Sequence, residues 1–280
     1  MLGRLLHISR PVLWINTVGP AVVGMWLTGE LWRWEALPLL AWLTLPFNLL
    51  IYGVNDVFDQ ETDAKNPRKG TLEGARILPE EVGPIWRGVL LTNAPFFLYF
   101  FLFLPVSASL WMLLYAALFV GYSAPPVRFK AWPYLDSLSN AAYAFPLIFT
   151  PLALEEPVVW PAALGLMAWS AAKHTFDAVQ DVDEDRKVGI STTAVRLGAS
   201  GVVFWSGTWW TMATVYFALA SPVVALVNAV YAGGLLYSLY RNPRPETGHR
   251  LYKYSIAFPY VAGTVAGVQL VGAISLGMYP

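Results

Sequence analysis

The feature that most constrains this chain is a succession of apolar runs, each close to the roughly 20 residues that a helix needs to cross a bilayer. Nine can be drawn, at residues 11–29, 36–55, 88–105, 107–123, 135–153, 158–177, 201–219, 222–240 and 255–276. Pro20, Pro46, Pro95 and Pro146 fall inside them, which bilayer helices tolerate where neighbours satisfy the freed backbone groups. Short breaks at Pro105 and at Ser221-Pro222 predict two tight hairpins. Only 13% of the residues are charged and 56% are hydrophobic, whereas soluble domains carry about 25% charged residues. The expectation is an all-α, polytopic membrane protein with about nine transmembrane helices. No composition shift marks a boundary, so residues 1–280 are expected to form one domain. The first run follows a mildly basic segment with no small-residue cleavage site after it, and is read as an uncleaved span.

Positive charge sets the expected orientation, because cytoplasmic connections are enriched in Lys and Arg. Segments 1–10, 56–87, 124–134, 178–200 and 241–254 carry the cations, while the alternate connections hold only Arg33 beside Glu30, Glu35, Glu155 and Glu156. Nine spans then place the N-terminus in the cytoplasm and the C-terminus outside, in the cell membrane. A net charge of zero gives no reason to expect nucleic acid as a partner, and the absence of Cys excludes disulfides, thiolate metal sites and Cys nucleophiles.

Two acidic clusters lie on the expected cytoplasmic side, each at the end of an apolar run. In the first, Asn55 precedes Asp56, Asp59 and Asp63, spaced i, i+3 and i+7; in the second, Asp177, Asp181 and Asp185 are spaced i, i+4 and i+8. A continuing helix would put each set on one face. Like charges stacked at a helix C-terminus are unfavourable, since the helix dipole already disfavours anions there. Mg²⁺ is the expected compensating cation, because it prefers carboxylate and water oxygens and bridges to substrate phosphates. One such run is usually a solvated loop end, balanced here by Lys65, Arg68, Arg186 and Lys187. Two matched runs on one side favour a metal and phosphate site.

A diphosphate also needs direct cations. Arg68 and Lys69 follow the first cluster, Arg128 and Lys130 lie in the next cationic connection, and Arg186 and Lys187 follow the second cluster. Arg grips phosphate bidentately and Lys acts as a point charge; any single one of them equally serves as a topology signal. Lys173 sits inside an apolar run one turn before Asp177, where an ionisable group is costly and usually functional. Pairing with Asp177 accounts for it as well as a phosphate contact does. Asn48, Tyr52, Asn55 and Asp59 form a further polar stripe, and Asn16, Asn140, Tyr143 and His174 are polar groups in apolar runs, more often helix–helix hydrogen bonds than catalysts.

The first cluster resembles the N-D-x-x-D-x-x-x-D motif of the UbiA superfamily of intramembrane prenyltransferases, and the second resembles that family's D-x-x-x-D-x-x-x-D motif. The stretch Tyr122-Ser123-Ala124-Pro125-Pro126-Val127-Arg128-Phe129-Lys130 is similar to its third signature. The resemblance covers essentially the whole chain. It implies helices around a central cavity under a cytoplasmic cap, and Mg²⁺-dependent transfer of a prenyl group from its diphosphate to a lipophilic acceptor reached from the bilayer, among membrane lipids. By motif position, Asp56, Asp59, Asp63, Asp177, Asp181 and Asp185 would be the catalytic metal ligands. Asn55, Arg68, Arg128, Lys130 and Lys187 would bind the diphosphate, with Lys173 beside them. Asn66-Pro67-Arg68-Lys69-Gly70, Leu135-Asp136-Ser137 and Ile8-Ser9-Arg10-Pro11 resemble the lycopene elongase branch. That implies a dimethylallyl donor and lycopene or a related carotenoid as acceptor. A quinone, chlorophyll-type or ether-lipid acceptor is the alternative, and an ion-coupled transporter the remote one, because transporter sites lie near the bilayer midplane.

Overall fold

The computed structural model describes residues 2–60, 75–187 and 189–279, and among these every regular element is helical. In chain order they are α1 (Leu2–Ile8), α2 (Ile15–Leu27), α3 (Leu37–Trp42), α4 (Leu45–Asn48), a π-helical turn (Leu49–Gly53), α5 (Val54–Phe58), α6 (Val82–Phe103), α7 (Val106–Ser123), α8 (Leu135–Leu138), α9 (Pro146–Ala153), α10 (Trp160–Asp177), α11 (Val182–Lys187), α12 (Thr193–Ala220), α13 (Pro222–Arg241) and α14 (Pro245–Ser275). Among the described residues five stretches are long and apolar enough to cross a membrane: Trp34–Phe58, Pro79–Phe103, Val106–Ser123, Pro222–Arg241 and Pro245–Ser275. The fold is all-α, but the count of nine is not confirmed. Run 135–153 shows why: it is split into α8, a six-residue 3₁₀ stretch at Ser139–Ala144, and α9.

Contacts group the chain into two compact units, Met1–Arg128 with Phe145–Val158, and Phe129–Ala144 with Val159–Pro280. In the first unit the run through residues 36–55 is bent at Thr44, whose φ of −86° and ψ of −123° are not helical. A bend in hydrocarbon leaves carbonyls that water cannot reach. Side chains take them up: Leu43 O accepts from Thr17 Oγ1 at 2.7 Å and from Asn48 Nδ2 at 2.7 Å. Pro46 O accepts from Asn93 Nδ2 at 2.8 Å, and Asn93 Oδ1 in turn accepts from Trp42 Nε1 at 2.9 Å. Asn48 and Asn93 are therefore helix–helix connectors. Around the bend Trp42, Phe47, Phe100, Tyr115 and Phe149 pack edge to face and stacked, all of them buried. Such ring pairs add about 0.5–1.5 kcal/mol each beyond their burial.

In the second unit α10 is the central rod. Ala168, Ala171 and Ala172 are buried on it, and small residues let helix backbones approach closely in membranes. Ser137 Oγ donates to Ala171 O at 2.9 Å and Ser206 Oγ to Ala172 O at 3.0 Å, so α8 and α12 are each pinned to it. A Cβ placed on Gly165 would stand 2.6 Å from two ring carbons of Phe217 on α12. Gly165→Ala is thus expected to destabilise by about 1–3 kcal/mol through overpacking, read as a lower Tm of the detergent-purified protein, while Gly83→Ala, which meets nothing within 4 Å, leaves Tm unchanged.

Candidate functional site

The α-helix that enters the first acidic cluster is interrupted at Asp59. α5 ends at Phe58, and Asp59 is its C-cap, with φ −102° and ψ 6°. The regular α-helix expected through Asp56 and Asp59 is interrupted at Asp59, and Asp63 and Arg68 lie outside the described residues. The preceding π-turn, Leu49–Gly53, is of the kind that recurs at functional sites.

Asp56 and Asp59 have different surroundings. Asp56 is buried, and its side chain is 0% exposed where it meets Arg10 Nη2 at 2.6 Å. Its other oxygen accepts from the Ala75 amide at 3.3 Å. The Arg10 guanidinium also covers the Tyr52 ring at 4.4 Å, and Arg10 itself has φ 51°. A left-handed backbone costs a non-glycine residue about 1–3 kcal/mol and persists only where its surroundings hold it. Here the holding group is the buried carboxylate. Asp59 instead faces the third signature: Arg128 Nη2 is 3.8 Å from Asp59 Oδ1, and Ser123 Oγ donates to Asn55 Oδ1 at 2.9 Å. Arg128 too has a positive φ, 42°, following the Pro125-Pro126 pair. Asn55, Asp59, Ser123 and Arg128 are thus brought together within one unit.

The second cluster is also interrupted. α10 ends at Asp177, a 3₁₀ turn covers Ala178–Asp181, and α11 follows. The 3₁₀ turn advances more steeply per residue, so the three carboxylates do not form a straight i, i+4, i+8 stripe. Lys173 Nζ pairs with Asp177 Oδ2. The other oxygen of Asp177 and the Gln180 side-chain oxygen are buried without a hydrogen-bond partner. Gln180 was not singled out by the sequence pattern. Two unsatisfied hard oxygens three residues apart are the donor type that Mg²⁺ takes, so this end of α10 fits that ion. Asp185 accepts from Thr192 Oγ1 at 3.4 Å. Burial, the neighbouring Asp181 charge and then Glu184 and Asp136 push its carboxyl up to about 6, against the Thr192 bond. Lys187 is exposed at the end of α11, and Lys130 lies in a 3₁₀ turn, Phe129–Ala131.

Asp136, quoted above only as a branch marker, has a structural duty. It is fully buried and caps the start of α12, accepting from the Thr193 amide at 2.9 Å and from the Thr193 hydroxyl. His174 Nε2 stands 3.9 Å from its Oδ2. Among the described residues no group of three or more His, Asp or Glu side chains could hold an ion alone.

Helices long enough to span a bilayer, with paired carboxylates and cations near the ends of several, mark a membrane protein with a charged site. Residues 17–260 match the UbiA prenyltransferase family, and the chain belongs to it. It is 36% identical over 239 residues to a lycopene elongase/hydratase of Haloarcula japonica, covering 83% of this chain and 80% of that one. It is 31% identical to a lycopene elongase/hydratase of Corynebacterium glutamicum, covering 94% of each. A UbiA homolog from Archaeoglobus fulgidus, solved with DMAPP and Mg²⁺, has the same fold, with a TM-score of 0.70 at 20% identity over 93% of this chain and 99% of that one. The protein is a multi-pass membrane prenyltransferase.

Removing one member of a buried ion pair costs about 3–5 kcal/mol. Arg10→Gln is accordingly expected to lower stability by that amount, and the reversed pair Arg10→Asp with Asp56→Arg to recover part of it, as measured by thermal unfolding. Because Asp185 is neutral below about pH 6 and charged above it, binding of Mn²⁺ as a spectroscopic substitute should strengthen several-fold between pH 5.5 and 7. Asp185→Asn should flatten that rise.

Proposed function

We propose that this enzyme transfers a dimethylallyl group from its diphosphate to a lipophilic acceptor, lycopene or a related polyene, with residues 1–280 acting as one catalytic domain. The acceptor reading is supported by the 36% and 31% identity to proteins named lycopene elongase/hydratase. The observation that carries the chemistry is the gathering of Asn55, Asp59, Ser123 and Arg128 at the end of one unit. In this reading Asp59 and Asp63 of the first cluster hold Mg²⁺, and Asp177, Asp181 and Asp185 of the second do likewise. Asp56 is their positioning partner, since its charge is already engaged by Arg10.

Mg²⁺, when bound, supplies Lewis-acid stabilisation of the charge that builds up on the leaving diphosphate. Arg128 adds a fixed cation at the same charge, with Lys130, Lys187 and Arg68 as further phosphate contacts. Lys173 keeps Asp177 oriented through their ion pair. The C1–O bond of the donor breaks and its electron pair leaves with the diphosphate, giving an allylic cation. The π-electrons of a terminal acceptor double bond then form the new C–C bond. The resulting tertiary cation either loses a proton to a base or takes up water and releases its proton. Apolar walls keep water away until that point. The N-terminus is proposed to be cytoplasmic, so that the donor arrives from the cytoplasm and the acceptor from the bilayer.

Purified protein with Mg²⁺, labelled dimethylallyl diphosphate and lycopene should yield polyenes one and two five-carbon units longer. EDTA should abolish the reaction, and Asp59→Asn or Asp181→Asn should reduce it at least ~100-fold, the size of effect expected for removing transition-state charge stabilisation. Turnover of 4-hydroxybenzoate but not of lycopene would overturn the acceptor assignment, and full activity in both variants would overturn the metal assignment.

A further inference from the structure

The segment that joins α13 to α14 and opens α14 carries a charge pattern that neither acidic cluster uses. Between residues 241 and 254 stand Arg241, Arg244, Arg250 and Lys253, against the single carboxylate of Glu246. All five are exposed. Among the described residues none of the four cations pairs with a carboxylate, whereas Arg10, Arg128 and Lys173 each do. Three of them meet rings and hydroxyls instead. Arg241 Nη1 donates to the Tyr237 hydroxyl at 3.0 Å, Arg250 Nη2 donates to Thr247 Oγ1 at 3.4 Å, and Lys253 Nζ lies 5.1 Å from the centre of the Tyr254 ring.

The length of α14 sets the depth of this segment. Its 31 residues reach about 46 Å at about 1.5 Å per residue, whereas the hydrocarbon core of a bilayer is about 30 Å thick. Residues 255–275 hold no charged side chain and are enough to cross that core. The first turns of α14, from Pro245 to Tyr254, therefore lie at headgroup depth. Beside them, in the last turn of α13, Tyr237 and Tyr240 are 60% and 64% exposed, and amphipathic rings favour that level. An open cavity of about 340 Å³ lies here between the start of α12 and the end of α13, lined by Ser200, Val203, Phe204, Tyr240, Arg241 and Pro243. Its wall combines an exposed Arg, Ser and Tyr with apolar side chains. Gly248 fixes which end of the unit this is: a Cβ there would stand 3.0 Å from the Gln180 amide nitrogen, so α14 starts against the 3₁₀ turn of the second acidic cluster.

We propose that this segment and cavity bind the phosphate headgroups of anionic phospholipids, in the leaflet on the side of the second acidic cluster. Cations at headgroup depth with no carboxylate to answer them attract an anionic leaflet. A free anion would meet only the cations. A phospholipid meets cations and exposed rings together, because its phosphate and its acyl chains are joined. The surface contains no member of either aspartate set, so it is separate from the donor site and its test needs no turnover.

That test uses the intact protein in phosphatidylcholine vesicles, with spin-labelled phosphatidylglycerol as the probe. Wild type should bind it at least ~5-fold in preference to spin-labelled phosphatidylcholine, the factor that about one basic residue near an anionic surface supplies. The triple variant Arg241→Gln, Arg244→Gln, Arg250→Gln should bind both probes equally. The same three positions changed to Lys should keep the preference, which separates lipid binding from a failure to insert or fold. If the Gln triple does not fold, Arg241→Gln alone decides, and it should weaken the preference. Arg87→Gln, which removes an exposed cation on α6, should leave it unchanged. Raising salt from 0.1 to 1 M shortens the screening length from about 10 to about 3 Å and should reduce it. No preference in the wild type, a preference that survives the Gln substitutions, or an equal loss in Arg87→Gln would overturn the proposal. Displacement of the probe by millimolar inorganic phosphate or dimethylallyl diphosphate would also overturn it, by assigning the surface to a free anion.

Discussion

A carboxylate taken out of water has to be answered by a cation, and the arrangement of the first unit follows from how that demand is met. Asp56 is buried at the end of a membrane helix, and Arg10 answers it from the segment that follows α1. To do so Arg10 accepts a left-handed backbone and lies over Tyr52. The amide of Ala75 is drawn to the same carboxylate, so three parts of the chain far apart in sequence are tied at one point. With Asp56 held there, Asn55 and Asp59 are left to Ser123 and Arg128. Neighbouring residues of one acidic motif thereby divide between holding the helix end and facing Ser123 and Arg128.

Hydrogen bonding inside the membrane sets the second constraint. Bent and broken helices expose carbonyls and amides, and polar side chains take up several of them here. Thr17 and Asn48 serve the bend at Leu43, Asn93 serves Pro46, and Asp136 serves the start of α12. These residues look like functional candidates because they are polar in apolar runs, yet most of them keep the irregular backbone satisfied. The irregularity in turn sets the directions of the acidic side chains.

Much of this was legible from residue order alone. The two acidic clusters and the all-helical membrane character follow from composition and spacing, because charge in an apolar run is conspicuous, and the third signature follows from the family resemblance. The partners were not legible. Arg10 read as one of many cations that set topology, and nothing local points from it to Asp56, 46 residues away. Asp136 and Thr193 are 57 residues apart. The spacing of the aspartates suggested straight faces because it presumes an unbroken α-helix, and the C-cap at Asp59 and the 3₁₀ turn after Asp177 break that premise. Gln180 carries no charge, so only its buried, unsatisfied oxygen distinguishes it.

The π-turn at Leu49–Gly53 bears on how this stretch tolerates change in length. Successive residues of an α-helix are offset by about 100° around its axis, and a π-turn absorbs one residue without passing that offset on. Replacing a side chain there leaves the phase of Asn55 and Asp59 intact. Deleting a single residue there lets the turn close to an α-helix, while Asn55 and Asp59 keep their phase towards Ser123 and Arg128. In this segment a one-residue deletion is therefore a milder event than in an unbroken α-helix, and relatives of this chain should be able to differ here by one residue.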